Sequence, residues 1–144
     1  MVKVDIEPGA DLHEANLENA ELHDADLSNA YLGHANLRGA NLHNVNLINA
    51  NLIGASLFKA KLTGANLTRA NLRDAVLWGA DLYKADLHDA DLRGAHLSGA
   101  NLIGANLIGV KLHDADLTGA DLSDAKLTDV KFPKGYGKLP EEDE

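Results

Sequence analysis

Leucine occupies every fifth position of the chain from Leu12 to Leu127, so 24 pentads follow one another without interruption. Alanine stands two residues before the leucine in 22 of these pentads, and valine replaces it at Val45 and Val110. Asparagine or aspartate lies between the two in 16 pentads. The second residue after the leucine is glycine, asparagine or aspartate in 19 pentads. Two apolar positions in every five therefore recur along most of the chain.

A five-residue spacing fits neither a regular helix nor a flat strand. In an α-helix, each step of five residues rotates the side chain by about 140°. In a strand, an odd spacing sends successive side chains to opposite faces. Both difficulties disappear if the chain turns a corner in every pentad, with alanine and leucine inward and the residue between them outward. The glycine, asparagine or aspartate then forms the turn, and four such sides, or four pentads, close one coil.

Outward residues taken every 20 positions support four pentads per coil. Between alanine and leucine, up to residue 126, no two like charges are neighbours in these series, and Lys61 is followed by the opposite charge of Asp81. Neighbouring strands lie about 4.8 Å apart, so like charges are unfavourable there. The position after leucine departs from this pattern at Arg73 and Arg93.

Several pentads carry a family resemblance, among them ANLRG (35–39), ANLTR (65–69), ADLHD (85–89) and ADLTG (115–119). They resemble the A(D/N)LXX signature of the pentapeptide repeat family, and the match covers residues 10–129. The resemblance implies an all-β fold, a right-handed quadrilateral parallel β-helix, and supplies the handedness that the spacing leaves open. The family is especially numerous in cyanobacteria, and most of its members have no established biochemical role.

One subset of that family resembles duplex DNA in shape and charge and protects DNA gyrase from inhibitors. This chain differs from the subset, because its central residue is leucine throughout residues 10–129, where those members often have phenylalanine. It also lacks their loop insertion and their helical C-terminal dimerisation segment. These differences make gyrase binding an alternative rather than the first expectation.

The pattern divides the chain into three parts. Residues 1–9 are predicted to form an extended N-terminal cap, and residues 10–132 a solenoid of about six coils, in which Phe132 takes the leucine position. Residues 133–144 form an acidic tail that ends in EEDE. Acidic residues are clustered at both ends and repel further copies, so we expect a monomer or a weak end-to-end dimer.

Composition and charge narrow the function classes. The 144 residues include no cysteine, which excludes disulfides and thiolate metal sites, and the aromatic content of 4% is low for a base-stacking surface. No apolar run approaches the roughly 18 residues of a membrane span, so we expect a cytoplasmic protein without a membrane partner. The net charge is −9, although residues 27–73 contain no acid. The cations of that segment lie on different sides of the solenoid, which predicts no nucleic-acid partner.

Candidate chemistry is sparse. His23 and His43 stand 20 positions apart and stack in the predicted register, with Asp24 beside them, but two ligands without a third make a poor metal site. Ser98 near His96 resembles a fragment of a catalytic triad, yet a convex surface offers no pocket to exclude water. We therefore predict no metal, no cofactor and no catalytic residue, and a protein that is not an enzyme.

The predicted function is that of a rigid scaffold or protein-binding module, and the alternative is a DNA-mimicking protein that binds or inhibits a topoisomerase such as DNA gyrase. Phe58 and Trp78 follow the leucine in successive coils. An aromatic centre with a basic rim is typical of a contact for an acidic protein partner. The competing interpretation is a cross-strand aromatic pair with a structural role only. The candidate partner-binding residues are Phe58, Trp78, Val76, Tyr83, Ile53, Arg38 and Lys59.

Overall fold

The protein folds as a four-sided column of stacked coils. A computed structural model describes residues 6–136, and within this range the regular pairing consists of single-residue parallel bridges, with no helix. Every bridge joins residues 20 positions apart, beginning with Asp11 and Tyr31 and ending with Lys111 and Lys131. The predicted register of four pentads per coil is confirmed. None of the described residues forms a helix long and apolar enough to cross a membrane.

Four ladders of bridges define the four faces. The first face runs from Asp11 to Lys131, the second from Asn16 to Asp116, the third from Glu21 to Asp121, and the fourth from Asp26 to Lys126. On each face, backbone groups alternate between donating to the coil before and to the coil after. For example, the Tyr31 N–H donates to the Ala10 carbonyl at 2.9 Å, and the Leu12 N–H donates to the Tyr31 carbonyl at 2.8 Å.

A tight turn at the end of each pentad makes the corner. The Ala15 N–H donates to the Leu12 carbonyl at 3.0 Å, and the residue before the alanine has a positive φ at all 24 corners, nine of them glycine. Positive φ at the third residue alone is the signature of a type II turn. Five corners carry residues for which this conformation costs about 1–2 kcal/mol each, and they are Glu14, His34, Lys59, Arg69 and Lys84.

The core consists of the inward alanines and leucines. From Leu27 to Leu112 every inward side chain is no more than 1% exposed, and the two valines, Val45 and Val110, are fully buried. No polar or charged side chain is buried among the described residues. At the ends the core is closed less completely, because Leu12 and Leu127 are half-buried. The column is therefore held by apolar contacts inside and by backbone hydrogen bonds along its faces.

The asparagine or aspartate between alanine and leucine has a structural role that the spacing alone did not explain. The N–H of the residue after leucine makes no backbone hydrogen bond along the ladders. It donates instead to the Oδ1 atom of the asparagine or aspartate two residues earlier. All 16 asparagine and aspartate residues at this position make the bond, from Asp11 to the His13 N–H at 3.2 Å through to Asp121 and the Ser123 N–H at 3.0 Å. These Asx turns satisfy a donor that each pentad would otherwise leave open.

Removal of one such acceptor is expected to destabilise the protein measurably. In Asn51→Ala the half-buried Ile53 N–H loses its 3.1 Å bond to Oδ1, which costs about 1 kcal/mol of unfolding free energy. Thermal denaturation is expected to show a melting temperature about 2–4 °C lower. Asn51→Asp keeps the acceptor and leaves the melting temperature close to wild type. Ser56→Ala alters the equivalent position of the next pentad, where serine has no comparable bond within the described residues, and serves as the control. Equal melting temperatures for Asn51→Ala and Ser56→Ala would contradict this role.

The expected avoidance of like charges fails at the C-terminal end of one ladder. Lys111 and Lys131 form a bridge on the first face, and residue 131 lies beyond the 24 pentads from which the pattern was drawn. The pattern holds elsewhere in the bridged positions, as at Lys61 and Asp81. Two lysines on adjacent coils of one face repel each other, and neither lies within ion-pair distance of a described carboxylate.

Both ends of the column are partly covered. Ile6 packs against the N-terminal end of the core, and the Gly9 N–H donates to the Ser28 carbonyl at 2.8 Å. At the other end, Phe132 packs against the core in the leucine position, as expected, and its ring stacks on Tyr136 at 5.0 Å between centroids. The predicted cap and tail extend further, and their residues 1–5 and 137–144 lie outside the described range.

Candidate interaction surface

Phe58 and Trp78 lie on successive rungs of the second face, as the sequence predicted. The Lys59 N–H donates to the Trp78 carbonyl at 2.9 Å, which fixes the two aromatic residues one coil apart. Trp78 is 47% exposed, and Phe58 is half-buried. An apolar side chain of this size that remains half in water on a rigid face is a candidate anchor for a partner.

Basic side chains surround Phe58. The Arg38 guanidinium carbon lies 4.6 Å from the centre of the Phe58 ring, and the Lys59 ammonium nitrogen lies 5.3 Å from it. Both distances are within the range of a cation–π interaction. The Phe58 ring therefore holds two cationic side chains close to the surface of the second face.

Trp78 pairs with a residue that the sequence analysis did not assign to the site. Its ring meets His96 edge to face, with centroids 6.2 Å apart and an interplanar angle of 76°. Phe58 and Trp78, both among the described residues, do not pair ring to ring with each other. His96 stands between alanine and leucine one coil after Val76, so the register of four pentads held the signal that could have placed it beside Trp78.

Val76 is the residue that departs most from the repeat. It stands where 16 of the 24 pentads have asparagine or aspartate, and its side chain offers no acceptor to the Trp78 N–H. It bridges Ser56 on one side and His96 on the other. The exchange of a turn-stabilising acceptor for an aliphatic group extends the apolar surface around Trp78.

The other two candidate residues lie around the corners of the column. Ile53 is half-buried on the first face, and Tyr83 is half-buried on the third, with the Lys84 ammonium 5.2 Å from its ring. They therefore flank the second face rather than belong to it. The residues that share the second face and its edge define what we call the aromatic patch, namely Arg38, Phe58, Lys59, Val76 and Trp78.

The described residues hold no group of three histidine, aspartate or glutamate side chains that could bind a metal ion. His23 Nδ1 lies 3.7 Å from a Glu21 carboxylate oxygen instead. A second serine, Ser123, is engaged locally, since its hydroxyl donates to Asp121 Oδ1 at 2.5 Å. That hydrogen bond holds the pKa of the Asp121 carboxyl below its usual value, which makes this carboxylate a weaker base.

Comparison with known proteins decides the family. The family described as pentapeptide repeats matches the chain in eight copies, over residues 8–33, 25–64, 60–99 and 95–132. The chain belongs to the pentapeptide repeat family. Its four-sided column is accordingly a right-handed quadrilateral β-helix, as expected from the resemblance. A comparison with curated protein sequences found no match.

Solved structures of other pentapeptide repeat proteins share the fold. Rfr23 from the cyanobacterium Cyanothece 51142 is 36% identical, with a TM-score of 0.62 over 64% of this chain and 63% of that one. HetL from the cyanobacterium Nostoc sp. strain PCC 7120, involved in heterocyst differentiation regulation, is 37% identical, with a TM-score of 0.57 over 91% of this chain and 71% of HetL. Trypsin-treated QnrB1, a plasmid-mediated fluoroquinolone resistance protein, is 26% identical, with a TM-score of 0.56 over 77% and 66% of the two chains. The chain thus spans slightly less than two thirds of Rfr23 and of QnrB1.

Sequence reasoning also missed a concentration of positive charge on the first face. Arg73, Arg93, Lys111 and Lys131 line one groove there, although the segment from residue 74 onward is acidic in sum. Summing charge along the sequence concealed the cluster, because neighbours on a face stand 20 positions apart in the chain. The cluster could have been found in the sequence by continuing the 20-residue series one step further, to Lys131.

Proposed function

We propose that this pentapeptide repeat protein is a non-enzymatic scaffold that binds a protein partner through the aromatic patch. The observation that carries the proposal is Trp78, which stays 47% exposed on a face whose backbone is fixed by hydrogen bonds on both sides. Large aromatic side chains in such positions supply most of the energy of protein contacts. The neighbouring Val76 adds apolar surface where the repeat usually has a polar residue.

The surroundings of the patch indicate the chemistry of the partner. Arg38 and Lys59 lie against the Phe58 ring, so their charges are held at the edge of the apolar centre. Arg38 also lies 3.9 Å from Glu18 in an exposed ion pair, which a partner carboxylate can replace at little cost. We therefore infer a partner whose contact surface combines an apolar pocket for Trp78 with acidic side chains around it.

Rigidity supports a role as a scaffold. Backbone hydrogen bonds on the second face run to both neighbouring coils. The Ser56 N–H donates to the Ala35 carbonyl in the coil before, and the Leu57 N–H donates to the Val76 carbonyl in the coil after. Binding to such a surface requires little ordering of the backbone, and ordering is a principal cost of association. All seven aspartates between alanine and leucine accept a local backbone hydrogen bond, which supports a non-enzymatic role.

The alternative function, inhibition of a topoisomerase such as DNA gyrase by DNA mimicry, gains support from the structural similarity to QnrB1. A DNA mimic requires negative charge along its length. The groove of four cations on the first face opposes that requirement, so we place this function second.

The double variant Phe58→Ser with Trp78→Ser tests the proposal. Loss of both aromatic anchors is expected to weaken partner binding at least about thirtyfold, since hot-spot truncations cost about 2 kcal/mol or more. Affinity capture from extract of the source cells, quantified against wild type, measures the effect. Tyr31→Ser removes an exposed aromatic residue, 58% accessible, from the first face and is the matched control.

Proteins retained by wild type and by Tyr31→Ser, but lost by the double variant, are the result we expect. Circular dichroism is expected to show the same β-signal for all three proteins. Equal recovery by the double variant would refute the patch as the binding site. Stoichiometric inhibition of gyrase supercoiling by the purified protein would instead favour the alternative function.

A further inference from the structure

A groove on the first face brings four cationic side chains together. It encloses about 560 Å³, within the roughly 300–1,000 Å³ typical of small-molecule sites. Its lining residues are Arg73, Asp74, Arg93, Gly94, Lys111, His113, Asp114 and Lys131. Four of them are permanent cations and two are carboxylates, so the lining carries a formal charge of +2. The groove lies on a different face from the aromatic patch.

The repeat brings the cations into register. Arg73 and Arg93 follow the leucines of successive coils. On the same face, Lys111 and Lys131 precede the inward residues Leu112 and Phe132 of the next two coils, and they form a bridge. Among outward residues 11–134 of this chain, these are the two places where like charges stand 20 positions apart. Rungs are about 4.8 Å apart, so each pair repels. Both unfavourable pairs fall in the same groove, and a bound anion would relieve both.

Asp91 sets the orientation of one arginine. The Arg93 Nε donates to Asp91 Oδ1 at 2.9 Å, and Nη2 donates to Oδ2 at 2.6 Å. The hydrogen bond from Arg93 holds the pKa of the Asp91 carboxyl below its usual value, so this pair persists at neutral pH. The guanidinium is thereby held against the face, while the Arg93 side chain stays 44% exposed. No carboxylate of the described residues lies within ion-pair distance of Arg73, Lys111 or Lys131.

We propose that this groove binds an oligophosphate chain, either free or carried by a nucleotide. The cations occupy four consecutive rungs, a span of about 14 Å, which a single small anion cannot bridge and a linear chain of phosphates can. Arginine forks match phosphate oxygens, and the two lysines supply point charges at the far end. No phenylalanine, tyrosine or tryptophan lines the groove, and His113 is the one ring among its lining residues, so we expect the site to recognise mainly the phosphates.

Long nucleic acids fit this groove less well. Asp74 and Asp114 stand at its corner edge, where they repel a backbone that continues past the site. The chain as a whole carries −9 charges, which opposes non-specific binding to DNA. A short, multiply charged ligand meets the same four cations without the added repulsion of a backbone that continues past the two carboxylates.

Isothermal titration calorimetry with sodium tripolyphosphate at low ionic strength tests the proposal. The test variant is Arg73→Gln with Arg93→Gln. The control is Lys61→Gln with Lys126→Gln, which removes the same charge from the third and fourth faces. Both lysines occupy the same pentad position as Lys111, and neither lies in the groove or in the aromatic patch. We expect the test variant to bind tripolyphosphate at least about tenfold more weakly, and the control to bind within about twofold of wild type.

Titrations with other anions distinguish a free oligophosphate from a nucleotide as the ligand. Binding of ATP equal to that of tripolyphosphate indicates recognition of the phosphate chain alone, whereas phosphate and sulfate monoanions are expected to bind far more weakly. Binding is expected to weaken as salt rises, because the contact is electrostatic. The melting temperature of the unliganded test variant is expected to stay close to that of wild type, because loss of the Arg93–Asp91 ion pair offsets removal of the repulsion between the two arginines.

Three results would overturn the proposal. They are an absence of tripolyphosphate binding by wild type at low salt, an equal loss of affinity in test and control variants, and tighter binding of a single-stranded oligonucleotide than of tripolyphosphate. The partner-capture experiment on the aromatic patch uses different substitutions and a different readout. Failure of one inference therefore leaves the other intact.

Discussion

Leu67→Asp is expected to unfold the protein. Leu67 is 1% exposed in the middle of the column, where every neighbouring inward side chain is alanine, valine or leucine. Loss of the leucine contacts alone costs about 3–5 kcal/mol, and an aspartate there has no partner for its charge. The sum approaches the whole stability of a typical domain, about 5–15 kcal/mol. Circular dichroism is expected to show loss of the β-signal at room temperature.

Thr68→Asp provides the matched control, because it introduces the same side chain one residue later. Thr68 is half-buried at the surface, where its hydroxyl donates to Asn66 Oδ1 at 2.7 Å. The aspartate at this site stays in water, and the melting temperature is expected to fall by no more than a few degrees. If Thr68→Asp proved more damaging than Leu67→Asp, the assignment of inward and outward positions would be wrong.

The second large effect is expected from Ala65→Leu. Ala65 is 1% exposed, and it lies between Val45 and Ala85 on the adjacent coils. Three extra carbon atoms cannot be placed against the valine without displacing the backbone. Overpacking of this kind costs about 1–3 kcal/mol, and we expect the upper end here because the rungs on both sides are fixed. Urea denaturation is expected to give a lower midpoint with an unchanged slope.

A second substitution in the same protein tests the register of four pentads per coil directly. Val45→Ala removes two carbon atoms from the coil beside Ala65→Leu, so the double variant is expected to recover part of the lost stability. Val110→Ala makes the same change on a different inward ladder and is expected to give no recovery. Rescue by Val110→Ala, or none by Val45→Ala, would mean that residues 45 and 65 are not neighbours.

The fold could be predicted from the sequence because one spacing determines it. Leucine at every fifth position fixes which residues point inward, and positive φ at all 24 corners appears where the glycine, asparagine and aspartate residues indicated turns. The role of the asparagine and aspartate between alanine and leucine was not predicted. It depends on which backbone N–H remains without a partner after the coils pair, and that follows only from the complete set of ladder bonds.

The sequence predicted which face carries the candidate surface, but it did not predict which side chains the two aromatic rings contact. The register placed Phe58 and Trp78 on one face, yet ring orientations depend on side-chain torsions that a repeat does not encode. The Trp78 ring contacts His96, and the Phe58 ring contacts Arg38 and Lys59. The groove on the first face was missed because its cations are dispersed in the sequence among acidic residues of other faces.

The uniform separation of four pentads between bridged positions has a consequence for how the chain first acquires structure. No bridge can form until a loop of one full coil has closed, so the first contact bears an entropy cost of loop closure before any neighbouring bridge supports it. Once two coils have paired, each further coil adds to an edge that is already ordered. Growth then proceeds coil by coil in either direction. During synthesis, the first stable nucleus therefore requires that two complete coils of the repeat have emerged. Folding then advances in step with translation rather than waiting for the C-terminus.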